Sequence, residues 1–124
     1  MKLRIRGNSL RIRVSQKELE QIAERGSASD SVRFSATTKL GYRVEVIQGS
    51  ELAADFSGSE IAVRLPQSEV SGWMRPEAVS VSGQQRLDGG EVLTILVEKD
   101  FTCLAPRDGE DESDLFPNPA LSTD

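Results

Sequence analysis

The sequence predicts an α+β fold, mainly antiparallel β, in which two ββαββ repeats form an eight-stranded barrel-like sheet with two helices. Three observations carry this expectation. The stretch "GNSLRIRVSQKEL" at residues 7–19 is answered, position for position and 51 residues later, by "GSEIAVRLPQSEV" at residues 58–70. In both copies apolar residues alternate on either side of a Gly-led pair, the signature of a β-hairpin with a two-residue turn. Both then run into an apolar stripe of helical spacing, followed by further alternating stretches. One such unit alone would leave its apolar sheet and helix faces in water. Pairing two copies buries them, and closing eight strands into a barrel removes exposed edges.

In the first hairpin, with Gly7-Asn8 as the turn, Arg6 faces Ser9, Ile5 faces Leu10, Arg4 faces Arg11, Leu3 faces Ile12 and Lys2 faces Arg13. The second, with Gly58-Ser59 as the turn, keeps the same parity: Phe56 faces Ile61, Asp55 faces Ala62, Ala54 faces Val63 and Ala53 faces Arg64. Ser15-Gln16-Lys17-Glu18 reads as a capping box that opens the first helix, with Leu19, Ile22 and Ala23 as its apolar stripe. Val70, Trp73 and Met74 are the counterparts, and Pro66 stands where Ser15 would be. Gly26 stops the first helix and Pro76 limits the second.

Beyond the helices, "SVRFS" (Val32, Phe34) and "AVSVS" (Val79, Val81) read as equivalent strands at an offset of 47. "LGYRVEVI" alternates through Leu40, Tyr42, Val44 and Val46, whereas "EVLTILVEK" is too continuously apolar to assign faces. "GQQRLDGG" reads as a flexible turn. The expected organisation is a single duplicated domain over residues 1–104, with repeats at about 1–48 and 52–104, followed by an acidic irregular tail at 105–124.

Composition narrows the function classes. The chain has 124 residues, 37% apolar and 28% charged, as expected of a soluble globular protein. A chain of this size buries about two thirds of its unfolded surface, enough for a core without staples. One Cys cannot form an internal disulfide. The start "MKLRIRGNSL" lacks the apolar stretch of a signal peptide, and no run nears the roughly 18 apolar residues a membrane span needs. These features place the protein in the cytoplasm, with no membrane partner.

The absence of His removes the commonest general base and the commonest metal ligand. Ser–His and Cys–His nucleophile arrangements are excluded. Cys103 lies between Thr102 and Leu104 near acids and reads as an inert thiol. There is no phosphate-binding loop, no dinucleotide Gly pattern and no EF-hand spacing in "DGEDESD". No catalytic residue, metal ligand or cofactor is assigned.

Charge is unevenly distributed within the net −5. Residues 1–62 hold ten Lys/Arg and eight Asp/Glu, residues 63–124 five and twelve, and residues 105–124 alone carry one Arg and six acids. The polar face of the first hairpin sets Arg4 against Arg11 and Lys2 against Arg13. Like charges so placed oppose pairing, by roughly 0.8 kcal/mol at about 5 Å even in bulk water. Arg33 and Arg43 also lie opposite their strands' apolar sides. Lys2, Arg4, Arg11, Arg13, Arg33 and Arg43 are therefore the candidate anion-binding residues. Their counter-charge is Glu45 or Asp55, the tail acids Asp108 to Asp114, an external anion, or simply solvent around splayed side chains. With few aromatics beside the cations, base stacking is missing, which argues against nucleic acid and favours a phosphate-rich small molecule or an acidic protein. In the tail, Leu115 and Phe116 either anchor on a partner or pack on the body.

The stretches "MKLRIRGNSLRIRVSQ", "LVEKDFTCLAPR" and "FPNP" resemble a family of small stand-alone bacterial proteins of unassigned function. That resemblance covers nearly the whole chain and implies a complete single-domain protein without naming an activity. The duplicated plan also resembles, by topology alone, the CYTH-type triphosphate tunnel barrels, whose charged interior binds polyphosphate and metal. Where those proteins carry two glutamates and a lysine at alternate positions, this chain has Lys2-Leu3-Arg4-Ile5-Arg6. The expected function is a non-enzymatic binding module for an anionic ligand or protein. The alternatives are a tunnel-like phosphohydrolase, with Glu45, Asp55 or Glu98 on a metal, and a structural or adaptor protein acting through its acidic tail.

Overall fold

The structure, a computed structural model, describes residues 1–101 and 114–117. Its elements run β1 (Lys2–Arg6), β2 (Ser9–Val14), α1 (Gln16–Arg25), β3 (Ser27–Arg33), β4 (Lys39–Ile47), β5 (Ala53–Ser57), β6 (Glu60–Pro66), α2 (Gln67–Trp73), β7 (Ser80–Arg86) and β8 (Val92–Lys99). The fold is α+β, with eight strands and two helices, and the ββαββ order occurs twice as expected.

Closure into a barrel does not occur. The strands form two four-stranded sheets, sheet A in the order β1-β2-β8-β7 and sheet B in the order β3-β4-β6-β5. Each sheet joins a hairpin from one half of the chain to a hairpin from the other. The joins are parallel, β2 to β8 and β4 to β6, so each sheet is mixed rather than antiparallel. At the seam between β5 and β7, side chains replace the backbone ladder: Gln85 Oε1 accepts from Ala54 N at 2.7 Å. Gly83 lies so close there that an added Cβ would sit 3.2 Å from Leu52 Cβ.

The hairpin registers agree with those read from the turns, Arg4 opposite Arg11 and Asp55 opposite Ala62 among them. Gly7 and Gly58 adopt φ of 54° and 56°, the left-handed region that a tight hairpin turn requires. The capping box is present, with Ser15 Oγ accepting from Glu18 N and Glu18 Oε1 from Ser15 N. Gly26, at φ 88°, ends α1 and passes the chain directly into β3.

That direct passage corrects the alignment of the later strands. The structural equivalence is an offset of 53, not 47: Ala28 corresponds to Val81, Tyr42 to Ile95 and Val44 to Val97, all buried. β3 is the polar stretch "SASDSVR", whose burial rests on Ala28 alone. Val32 and Phe34 are exposed. Gln84, Gln85 and Arg86, read as turn, belong to β7. The shared bonds follow the new offset too, since Val46 N donates to Gly26 O and Lys99 N to Val79 O.

Both sheets and both helices share one apolar core. Leu19 and Ile22 of α1 and Val70 and Trp73 of α2 are buried in it, while Ala23 and Met74 of the expected stripes are exposed. Each helix carries the chain from the base of one sheet to the base of the other, which closes that end. The four hairpin turns project from the opposite end. Tail residues Asp114 to Pro117 pack on the base: Gln16 N donates to Asp114 O, Phe116 N donates to Asp100 O, and the Phe116 ring meets Phe101 edge-on at 6.0 Å. Cys103 and the remaining tail acids lie outside the described residues.

Candidate anion-binding face

Strand alternation divides every strand into a core side and an outer side. The outer side of sheet A carries six cations, Lys2, Arg4 and Arg6 from β1, Arg11 and Arg13 from β2 and Arg86 from β7, against one carboxylate, Glu98 of β8. On sheet B the balance is four, Arg33, Lys39, Arg43 and Arg64, against three, Glu45, Asp55 and Glu60. The difference comes from the edge strands, since β1 supplies Lys-Arg-Arg where β5 supplies Ala-Asp-Ser.

Glu98 is the counter-charge within the hairpin's own sheet. Its Oε1 accepts from Arg11 Nε and from Arg13 Nε, each at 2.7 Å. Burial pushes this carboxyl upward, and the two guanidinium hydrogen bonds overcome it, holding Glu98 below the ordinary carboxylate range. Lys2 Nζ reaches the buried carboxylate of Asp100 at 2.9 Å. Arg4 and Arg6 have no ion-pair partner among the described residues. Sheet B repeats the motif at equivalent positions, with Arg64 Nε donating to Glu45 Oε1 at 2.9 Å and Arg64 Nη1 to Asp55 at 3.2 Å.

Of the six expected residues, Lys2, Arg4, Arg11 and Arg13 share the outer face of sheet A. Arg33 and Arg43 stand on sheet B. Arg33 is exposed at the turn end of β3, and Arg43 is bound to Glu60 at 2.5 Å beside Glu45 at 3.3 Å. Three residues outside the expected set complete the charge pattern of the outer face of sheet A: the cations Arg6 and Arg86, and the counter-charge Glu98. The last two follow from β7 and β8: Arg86 was placed in a turn and Glu98 on a strand whose faces period alone leaves open. Glu45, Asp55 and Glu98, named for a metal in the phosphohydrolase alternative, lie on opposite outer faces, each bound to arginine.

A model built for a family of unknown function, DUF7009, matches residues 1–120. The chain belongs to this family. Searches of curated proteins and of solved structures each return no match. The expectation of a family without assigned function therefore holds. Among the described residues of this DUF7009 chain, no helix is long and apolar enough to cross a membrane.

Proposed function

We propose that this protein is a non-enzymatic binding module whose outer face of sheet A takes an extended, multiply charged anion. The observation that carries the reading is the imbalance on that face, six cations served by two carboxylates, Glu98 and, at the base, Asp100, with Arg4 and Arg6 unpaired among the described residues. Alternate residues of a strand recur at about 6.6 Å, so Lys2, Arg4 and Arg6 present charge at regular intervals along an open surface. Acidic protein segments and phosphate-rich molecules both supply negative charge at such intervals. The tunnel analogy loses its structural support because the sheets are open.

A ligand that binds only the folded state raises thermal stability by mass action, by about 2.7 kcal/mol at a hundredfold excess over its dissociation constant. Melting temperatures with tripolyphosphate and, separately, with short polyglutamate test the two sources. The expected result is a rise at low salt that Arg4→Ala/Arg11→Ala removes and that added salt erases, because exposed charges are screened within about 8–10 Å. No rise with either anion at low salt would overturn the reading.

A further inference from the structure

We infer that the open end of the sandwich, between the four hairpin turns, is a binding site for an anionic amphiphile, with its apolar chain between the sheets and its carboxylate at the rim. This goes beyond the outer-face reading: its apolar lining is separate from that face, and it shares with it only Arg6 and Arg86 at the turn end. Helices close the base, but at the turn end the two inner faces diverge around a cavity of about 490 Å³. Ligand cavities typically measure about 300–1,000 Å³ and favour the mouths of β-structures.

Ile5, Leu10 and Leu93 form its wall on sheet A, and Leu40, Phe56 and Ile61 its wall on sheet B. The lining thus draws equivalent positions from both halves: Ile5 and Phe56, Leu10 and Ile61, Leu40 and Leu93. Ile5 is 59% and Phe56 67% exposed, so the core continues into the mouth without a cover among the described residues. Such contiguous apolar surface is costly to leave in water.

The polar groups select the charge of the occupant. Gln85 uses its Oε1 on Ala54 N, which leaves its NH₂ as a donor on the cavity wall. Arg6 and Arg86 lie outside the lining, on the outer face at the last strand positions before the β1–β2 and β7–β8 turns, next in sequence to Ile5 and Gln85 of the wall, and neither has an ion-pair partner among the described residues. The carboxylate in the lining, Asp55, is already held by Arg64. An apolar chain with a carboxylate head matches both parts, and a cationic head does not.

The probe is laurate below its micelle concentration, with dodecylamine as the opposite-charge control, titrated calorimetrically into the full chain. Saturable 1:1 binding of laurate, at least about tenfold tighter than dodecylamine, is expected. Ile5→Ser/Phe56→Ser should weaken it by about tenfold or more and leave the tripolyphosphate response intact. Methyl NMR of the unsubstituted protein gives a second reading, with shifts on Leu10, Leu40, Ile61 and Leu93. No saturable laurate binding, equal affinity for both amphiphiles, shifts away from these methyls, or a laurate-insensitive dimer that the double variant disperses would each overturn the inference.

Discussion

Glu98 shows how one carboxylate decides the character of a surface. It holds Arg11 and Arg13 in place on β2, where their charges would otherwise repel. Glu98→Gln keeps the shape and one acceptor but removes the charge, and is expected to destabilise the protein by about 1–2 kcal/mol at neutral pH. Because the folded carboxyl is held below its ordinary 4.5, this contribution is complete above that value and is lost as pH falls through the folded one. Denaturant titrations of both proteins from neutral to acid pH should show the gap closing. The same variant should bind tripolyphosphate more tightly, since two guanidinium groups are freed.

Lys99 poses the opposite case. It occupies the core-facing position that Val46 holds in the other half, and is 4% exposed. Its ammonium donates to Arg75 O at 2.9 Å and lies 5.5 Å from the Phe116 ring centre. Desolvation lowers its pKa, against a smaller opposing effect of Glu77. A lowered lysine pKa means the folded state disfavours the proton, so stability is greatest above the ordinary 10.5 and falls as pH drops through the folded value. Lys99→Met should therefore raise the stability at neutral pH by about 1 kcal/mol, as replacement of buried charge by apolar volume often does. Chemical unfolding at pH 7 and pH 10 checks this, with the advantage of the variant shrinking at the higher pH.

At the scale of elements, the two helices start differently although they fill equivalent places. α1 has its reciprocal cap, whereas α2 begins at Pro66 with no side-chain cap and runs only from Gln67 to Trp73. What secures α2 is tertiary: Trp73 is 1% exposed and its Nε1–H donates to Val79 O at 3.1 Å. Ser15→Ala is expected to cost about 1 kcal/mol in denaturant unfolding, the usual worth of an N-cap. Capping and hairpin pairing were legible because both depend on residues a few positions apart. β3 was misplaced because its only buried side chain is Ala28, which leaves no alternation to detect.

The whole molecule is held together by exchange between its halves. The middle strand β2 pairs with β8, and β4 with β6, so each sheet needs both ends of the chain. Residues 1–50 alone would expose the core face of β2 and both unpaired strand edges. That fragment should give a disordered circular-dichroism spectrum, and mixing it with residues 51–124 should restore the signal of the intact chain. In the full chain, Trp73 fluorescence and far-UV circular dichroism should report one coincident transition, since both halves share the core. A first transition confined to either half would contradict this.

Local physics was enough for the two hairpins, their registers, both helices and the basic run on β1 and β2, because turn geometry, alternation and capping act over a few residues. Long-range pairing settled the rest. It joined the hairpins in parallel across the two halves, and moved Arg33 and Arg43 away from Lys2, Arg4, Arg11 and Arg13. It also placed Glu98 opposite Arg13, 85 residues away in sequence. Alternation specifies which side of a strand is apolar but not which strand lies beside it. The neighbour is chosen by the burial of both inner faces at once, which left the base closed by helices and the turn end open.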